Sequence, residues 1–265
     1  MQISLDTSKW YDRVWAALIF FTRLPLWRIY QPRKEAYQTV VEHWPLAGWL
    51  TGGIMAAVLY GSAMVLPYGV AVLLAIGCRL LTTGALHEDG LADFFDGFGG
   101  GAGDRQRTLD IMKDSHIGTY GVLGLIVYIL LLFATLYSMR PADAALTILA
   151  ADPYAKMVSA QLIQMMPYAR TEQTAKNRTV YRKPSIPAAV GLAIQGLLPM
   201  GLYIYYMYAR IDWQLLIFLP CLTMYALYRL IWHRLRGYTG DCCGAVCLLT
   251  ELTALLAAAC YLGIY

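Results

Sequence analysis

Residues 118–139 read GTYGVLGLIVYILLLFATLYSM, twenty-two positions without one charged side chain. A stretch of this length matches the roughly 20 apolar residues needed to cross about 30 Å of hydrocarbon, so it predicts a transmembrane helix. In that medium no water meets the backbone, and a helix closes its own hydrogen bonds. Windows of the same kind recur on either side, at 46–66, 70–86, 144–166, 186–208, 213–232 and 245–264. The first and the fourth of these are also free of charge. The others are interrupted: Arg79 in 70–86, Asp152 and Lys156 in 144–166, Arg229 near the end of 213–232, and Glu251 in 245–264. The fold class expected is all-α, a polytopic membrane helical bundle of about seven transmembrane helices, or six if one interrupted window does not span.

Composition agrees. The 265 residues are 58% hydrophobic and 14% charged, against about 45–50% and 25% for soluble domains, which excludes disorder and disfavours a water-soluble globule. Six cysteines show no CxxC spacing and read as reduced packing residues rather than a disulfide or zinc framework. The first residues carry Asp6 and Asp12 and lack a short apolar core with a small-residue cleavage site, so no signal peptide is expected. Residues 10–27, WYDRVWAALIFFTRLPLW, are interrupted by Arg13 and Arg23 and bounded by tryptophans. They read as an N-terminal interfacial helix on a single membrane domain over 1–265.

Alternate connections differ sharply in Lys and Arg. Seventeen fall before the first span and in the loops near 87–117, 167–185 and 233–244, while only Arg140 and Arg210 fall in the opposite set. Positively charged loops stay in the cytoplasm, so those segments are expected there, in a cytoplasmic (inner) membrane. Within 168–183, five cations (Arg170, Lys176, Arg178, Arg182 and Lys183) are either topogenic or an electrostatic guide for a polyanion.

One of these loops reverses the charge. Residues 87–115, HEDGLADFFDGFGGGAGDRQRTLDIMKDS, hold seven acids and three cations, −4 in a chain whose total is +4. Asp89, Asp93 and Asp96 follow i, i+4, i+7 and fall within about 60° of one another on a helix. Like charges so placed repel, and hard oxygen donors of this kind suit Mg²⁺, which takes one or two carboxylates together with phosphate oxygens. The glycines at 97, 99, 100, 101 and 103 lack the GK[ST] ending of a phosphate-binding loop and are expected to form a mobile link. Asp104 is expected to cap a helix over 105–114. His87 and His116 bracket the run, and a neutral imidazole can move a proton near pH 7. A second constellation, Arg234 to Gly244, carries Arg236 and Asp241 at the entrance of the last span. Carboxylates combined with cations on one side of a membrane fit phosphoryl transfer better than a transport path.

Three elements together, Thr83-Gly84-Ala85-Leu86-His87-Glu88-Asp89-Gly90-Leu91-Ala92-Asp93-Phe94-Phe95-Asp96-Gly97, Ile111-Met112-Lys113-Asp114-Ser115-His116-Ile117-Gly118-Thr119-Tyr120-Gly121 and Tyr238-Thr239-Gly240-Asp241 with Gly244 and Glu251, resemble the cobalamin synthase (adenosylcobinamide-GDP ribazoletransferase) family. Phe21-Thr22-Arg23-Leu24-Pro25 and Trp44-Pro45-Leu46-Ala47-Gly48 look like its N-terminal signatures. The resemblance implies a Mg²⁺-dependent membrane enzyme that joins adenosylcobinamide-GDP to α-ribazole, or its 5′-phosphate, and releases GMP. Asp89, Asp93 and Asp96 are the expected metal ligands. His87, Asp114 and Asp241 are the candidate catalytic groups, and Lys113, Arg236, Arg79 and Arg170 the candidate substrate-binding cations. The lipid bilayer is an expected partner, a homo-oligomer is allowed, and no nucleic acid is expected. A CDP-alcohol phosphotransferase is disfavoured because Asp89-Gly90 is not followed by the DGxxAR pattern. A divalent-cation transporter is disfavoured because the acids concentrate in a loop.

Overall fold

A computed structural model describes residues 9–170 and 181–263, which hold ten α-helices. The cations Lys176 and Arg178 of the expected guiding loop lie outside the described residues. Helix α1, Trp10–Phe21, ends where Thr22 turns extended ahead of Pro25, so the interfacial helix expected over 10–27 stops at Phe21 and a short 3-10 turn, Leu26–Arg28, follows. Its inner face is Ala16, Ala17, Phe21 and Asp12, whose carboxylate accepts from Tyr30 Oη at 2.5 Å and Lys9 N at 2.9 Å. A 3-10 segment, Lys34–His43, leads into α2, Trp44–Ala63, with Pro45 in its first turn, where a missing N–H costs nothing.

Helix α3, Tyr68–Thr83, is followed by two left-handed residues, Gly84 (φ 65°) and Ala85 (φ 54°), and α4, Leu86–Gly100, departs at 91° to it. The acidic run expected as a loop is therefore mostly helix. The glycine link is misplaced: Gly97, Gly99 and Gly100 lie inside α4, and only residues 101–104 turn the chain. Asp104 caps α5, Arg105–Lys113, by accepting from Arg107 N at 2.6 Å, as its position implied. The remaining helices are α6, Thr119–Tyr137, α7, Pro141–Met165, α8, Ile186–Met207, α9, Trp213–Leu235, and α10, Gly240–Leu262.

Among the described residues five helices, four of them α6, α8, α9 and α10 and the fifth running from Lys34 to Ala63, are long and apolar enough to cross a membrane; the bent α3–α4 pair would be a sixth. The difference from seven lies in the interrupted windows. Helix α3 has 16 residues before the bend. Helix α7 is 25 residues long but interrupted by Asp143, Asp152 and Lys156, and it sits in the middle of the bundle against α2, α8 and α10, shielded by protein rather than lipid. Outer faces of α6, α8 and α9 expose Leu123, Leu130, Val190, Leu202, Phe218 and Leu222, as a bilayer-facing surface should.

Four of the charged side chains inside the bundle form two ion pairs. Arg79 on α3 forms a two-pronged ion pair with Glu251 on α10, Nη1–Oε1 and Nη2–Oε2 both at 2.6 Å. Asp152 pairs with Lys156 one turn on, and its other oxygen accepts from Thr51 Oγ1 at 2.7 Å. Short backbone bridges mark the two ends of the molecule, Tyr168 with Tyr238 at the Lys/Arg-rich end and Met139 with Gly263 at the other.

Candidate active site

The site is built where α4 crosses the start of α10. A Cβ at Gly90 would stand 3.0 Å from Asp241 Cα, and one at Gly244 would stand 3.2 Å from the His87 carbonyl, so both glycines are needed for the approach. Thr239, rather than Asp241, caps α10 by accepting from Cys242 N, which leaves Asp241 in the first turn. The crossing brings His87, Asp89 and Asp241 to one cleft of about 680 Å³, walled by Phe20, Phe21, Trp44 and Tyr181. Three rings stack there: Phe21 on Trp44 at 5.3 Å between centroids, with His87 at 6.1 Å from Phe21 and 5.8 Å from Trp44, all within 15° of parallel. His87 is buried, and its Nε2 has no hydrogen-bond partner among the described residues. A nitrogen left in that condition is suited to meeting a substrate hydroxyl. Asp89 is exposed at the cleft, and Asp93 follows one turn later, half-buried.

Asp96 is not with them. Its carboxylate accepts from Gly118 N at 2.7 Å and Gly121 N at 2.9 Å, capping α6 from another helix, so both oxygens serve structure. The expected three-carboxylate metal face is reduced to Asp89 and Asp93, and no group of three or more His, Cys, Asp or Glu converges on one ion position among the described residues. Arg79 is also removed from substrate binding, because both ends of its guanidinium are taken by Glu251 deep in the bundle. Arg236, left-handed at the end of α9 (φ 53°) and exposed, lies over the Trp232 ring at 5.6 Å and lines neither cleft at this end. Asp114 is exposed beyond α5 and accepts from His116 N at 3.0 Å, a bond that holds its carboxyl below the usual carboxylate range. Lys113 and Arg170 come together in a second cleft of about 630 Å³, with Arg105, between α5 and the segment after α7.

A sequence model of the family described as cobalamin-5-phosphate synthase matches residues 13–259, nearly the whole chain. The chain belongs to the cobalamin-5-phosphate synthase family. Relatives named adenosylcobinamide-GDP ribazoletransferase include one from Leptothrix cholodnii, 36% identical over 91% of this chain and 92% of its own length. One from Azorhizobium caulinodans is 38% identical over 92% and 93%, and one from Vibrio parahaemolyticus 34% over 91% and 89%. No solved structure matches. Membership sets aside the CDP-alcohol phosphotransferase and cation-transporter readings.

The structure assigns work to motif residues that spacing alone left mute. In this cobalamin-5-phosphate synthase family member, a Cβ at Gly118 or Gly121 would fall within 2.5 Å of the Asp96 carboxylate, so those two glycines and Asp96 form one device although 22 or more residues separate them. The aromatic wall was missed. Phe20 and Phe21 fall inside the expected interfacial helix and Trp44 just before the span at 46–66; the available signal was that Phe21 and Trp44 open the two N-terminal signatures, outside the acidic run.

Proposed function

We propose that this chain transfers the adenosylcobinamide phosphate group of adenosylcobinamide-GDP to α-ribazole or its 5′-phosphate, releasing GMP, in the cleft between α4 and α10. The observation that carries the proposal is the convergence of Asp89 and Asp241 from two helices on His87, inside an aromatic-walled cleft at the Lys/Arg-rich end. A ribose hydroxyl oxygen of the acceptor forms the new bond to phosphorus, the bond from that phosphorus to the oxygen of GMP breaks, and the hydroxyl proton passes to His87 Nε2. Trp44 and Phe21 hold the imidazole plane and keep bulk water off it, which suits a proton acceptor in a site where water would compete as nucleophile.

The donor set fits Mg²⁺. Asp89 and Asp241 offer hard carboxylate oxygens to one cleft, with Asp93 one turn from Asp89, and Mg²⁺ favours one or two carboxylates completed by phosphate oxygens and water. These residues would hold the ion, whose chemistry is to neutralise charge on the diphosphate. The imbalance of Lys and Arg between the two ends supports a cytosolic site in an inner membrane, where a phosphorylated corrinoid is accessible.

The test is incorporation of radiolabelled α-ribazole into a corrinoid by the purified chain in proteoliposomes. Turnover that depends on added Mg²⁺ and is lost on chelation is expected. No transfer under any divalent-cation condition, with folded protein, would overturn the proposal.

A further inference from the structure

The second cleft is cationic in an unusual way. Arg105 Nη2 and Nε donate to Ala169 O at 2.7 Å and Leu235 O at 2.8 Å, while Arg170 Nη2 donates back to Leu109 O at 2.9 Å. The two arginines thus tie α5 to the chain after α7 through main-chain carbonyls, which satisfy hydrogen bonds but leave the charge uncancelled. Neither arginine nor Lys113 forms an ion pair among the described residues, and the one acid in the cleft, Asp110, is engaged by Gln106 Nε2 at 2.9 Å. Arg170 also keeps Nε and Nη1 buried with no acceptor among the described residues. Unmet charged donors are costly, and guanidinium favours phosphate when an acceptor arrives.

We propose that this cleft is a nucleotide site, in which Arg170 and Lys113 bind the phosphate ester of a nucleoside monophosphate. It is separate from the cleft holding His87, Asp89 and Asp241. Naming the nucleotide as GMP, the leaving half of the donor, rests on the ribazoletransferase reading. GMP is then held beside α5 once it has left the phosphorus that the acceptor meets beside α10.

Equilibrium dialysis of radiolabelled GMP against the full chain in phosphatidylcholine nanodiscs, with EDTA and without corrinoid or ribazole, tests this. Lys113→Ala, at an exposed side chain, and Arg170→Gln are each expected to weaken binding by about tenfold, the loss of one charge-assisted hydrogen bond. Arg170→Lys is expected to retain part of it. Asp89→Asn, in the other cleft, is expected to leave the Kd within about twofold. Unchanged affinity in both Lys113→Ala and Arg170→Gln, or a loss confined to Asp89→Asn, would overturn the proposal. So would displacement of GMP on replacing part of the phosphatidylcholine with phosphatidylglycerol, which would make the cleft a lipid-headgroup site. GMP binding that depends on Lys113 without any ribazole transfer would refute the reaction and keep the site. Normal transfer with variant-insensitive GMP binding would refute the site alone.

Discussion

Asp89 and Asp96 stand on the same helix, two turns apart, and do opposite things. Asp89 is exposed at a cleft, whereas Asp96 is buried and holds two N–H groups at the start of α6. Asp96→Asn leaves one oxygen and turns an amide donor toward a backbone N–H. Loss of a charge-assisted cap of this kind is expected to cost roughly 1.5–3 kcal/mol. It should lower the melting temperature in detergent while leaving the Mg²⁺ concentration for half-maximal turnover unchanged. Asp89→Asn should do the reverse: unchanged melting, with turnover reduced by about 100-fold or more. If Asp96→Asn shifted the Mg²⁺ requirement and not the melting point, Asp96 would return to the metal. The i, i+4, i+7 spacing correctly put the three acids on a helix. Spacing does not report which partner approaches each one, and Asp96 meets residues 22 and 25 positions away.

At the scale of elements, the turn between α3 and α4 and the crossing of α4 with α10 set the site. Ala85 occupies a left-handed conformation that a Cβ disfavours by about 1–2 kcal/mol. Ala85→Gly relieves that strain at some cost in unfolded-chain entropy, so a net gain of about 0.5–1 kcal/mol is expected in thermal or denaturant unfolding. A loss would mean that the Ala85 methyl is needed for packing. Gly90→Ala places its new methyl 3.0 Å from Asp241 Cα, and backbone cannot step aside as a flexible side chain can. Helices α4 and α10 must part by a few tenths of an ångström, which moves Asp89 and His87 relative to Asp241. Turnover is expected to fall by about tenfold or more with the helical circular dichroism intact; unchanged turnover would show that the register of the two helices is not critical. Elements with local signals were legible in the sequence, such as the charge-free spans and the Asp104 cap. The glycine run was not, because Gly97 and Gly99 are helical for a tertiary reason: Met112 and Tyr120 pack where their side chains would be.

For the whole molecule, the question is how a bundle with few charged residues tolerates Arg79, Asp152, Lys156 and Glu251 in its interior. Arg79 and Glu251 lie 172 positions apart in sequence, and Asp152 and Lys156 sit on α7, which packs against the helix that carries Glu251. The four sum to zero, and each has an opposite charge within hydrogen-bond reach, so these two pairs compensate themselves. This explains why the interrupted windows are compatible with burial, and why the pairing of Arg79 with Glu251 could not be read from local sequence. Removing one partner of a buried pair typically costs about 3–5 kcal/mol, because the survivor is left uncompensated, whereas replacing both with apolar residues of similar volume is often close to neutral. Arg79→Met and Glu251→Leu are therefore each expected to lower the melting temperature and the yield of monodisperse protein in detergent. The double variant should recover most of that loss, giving a coupling of at least about 2 kcal/mol in the cycle. A double variant no better than the worse single one would mean that the pair is not energetically separate from Asp152 and Lys156. The four residues would then be a single network that has to be replaced together.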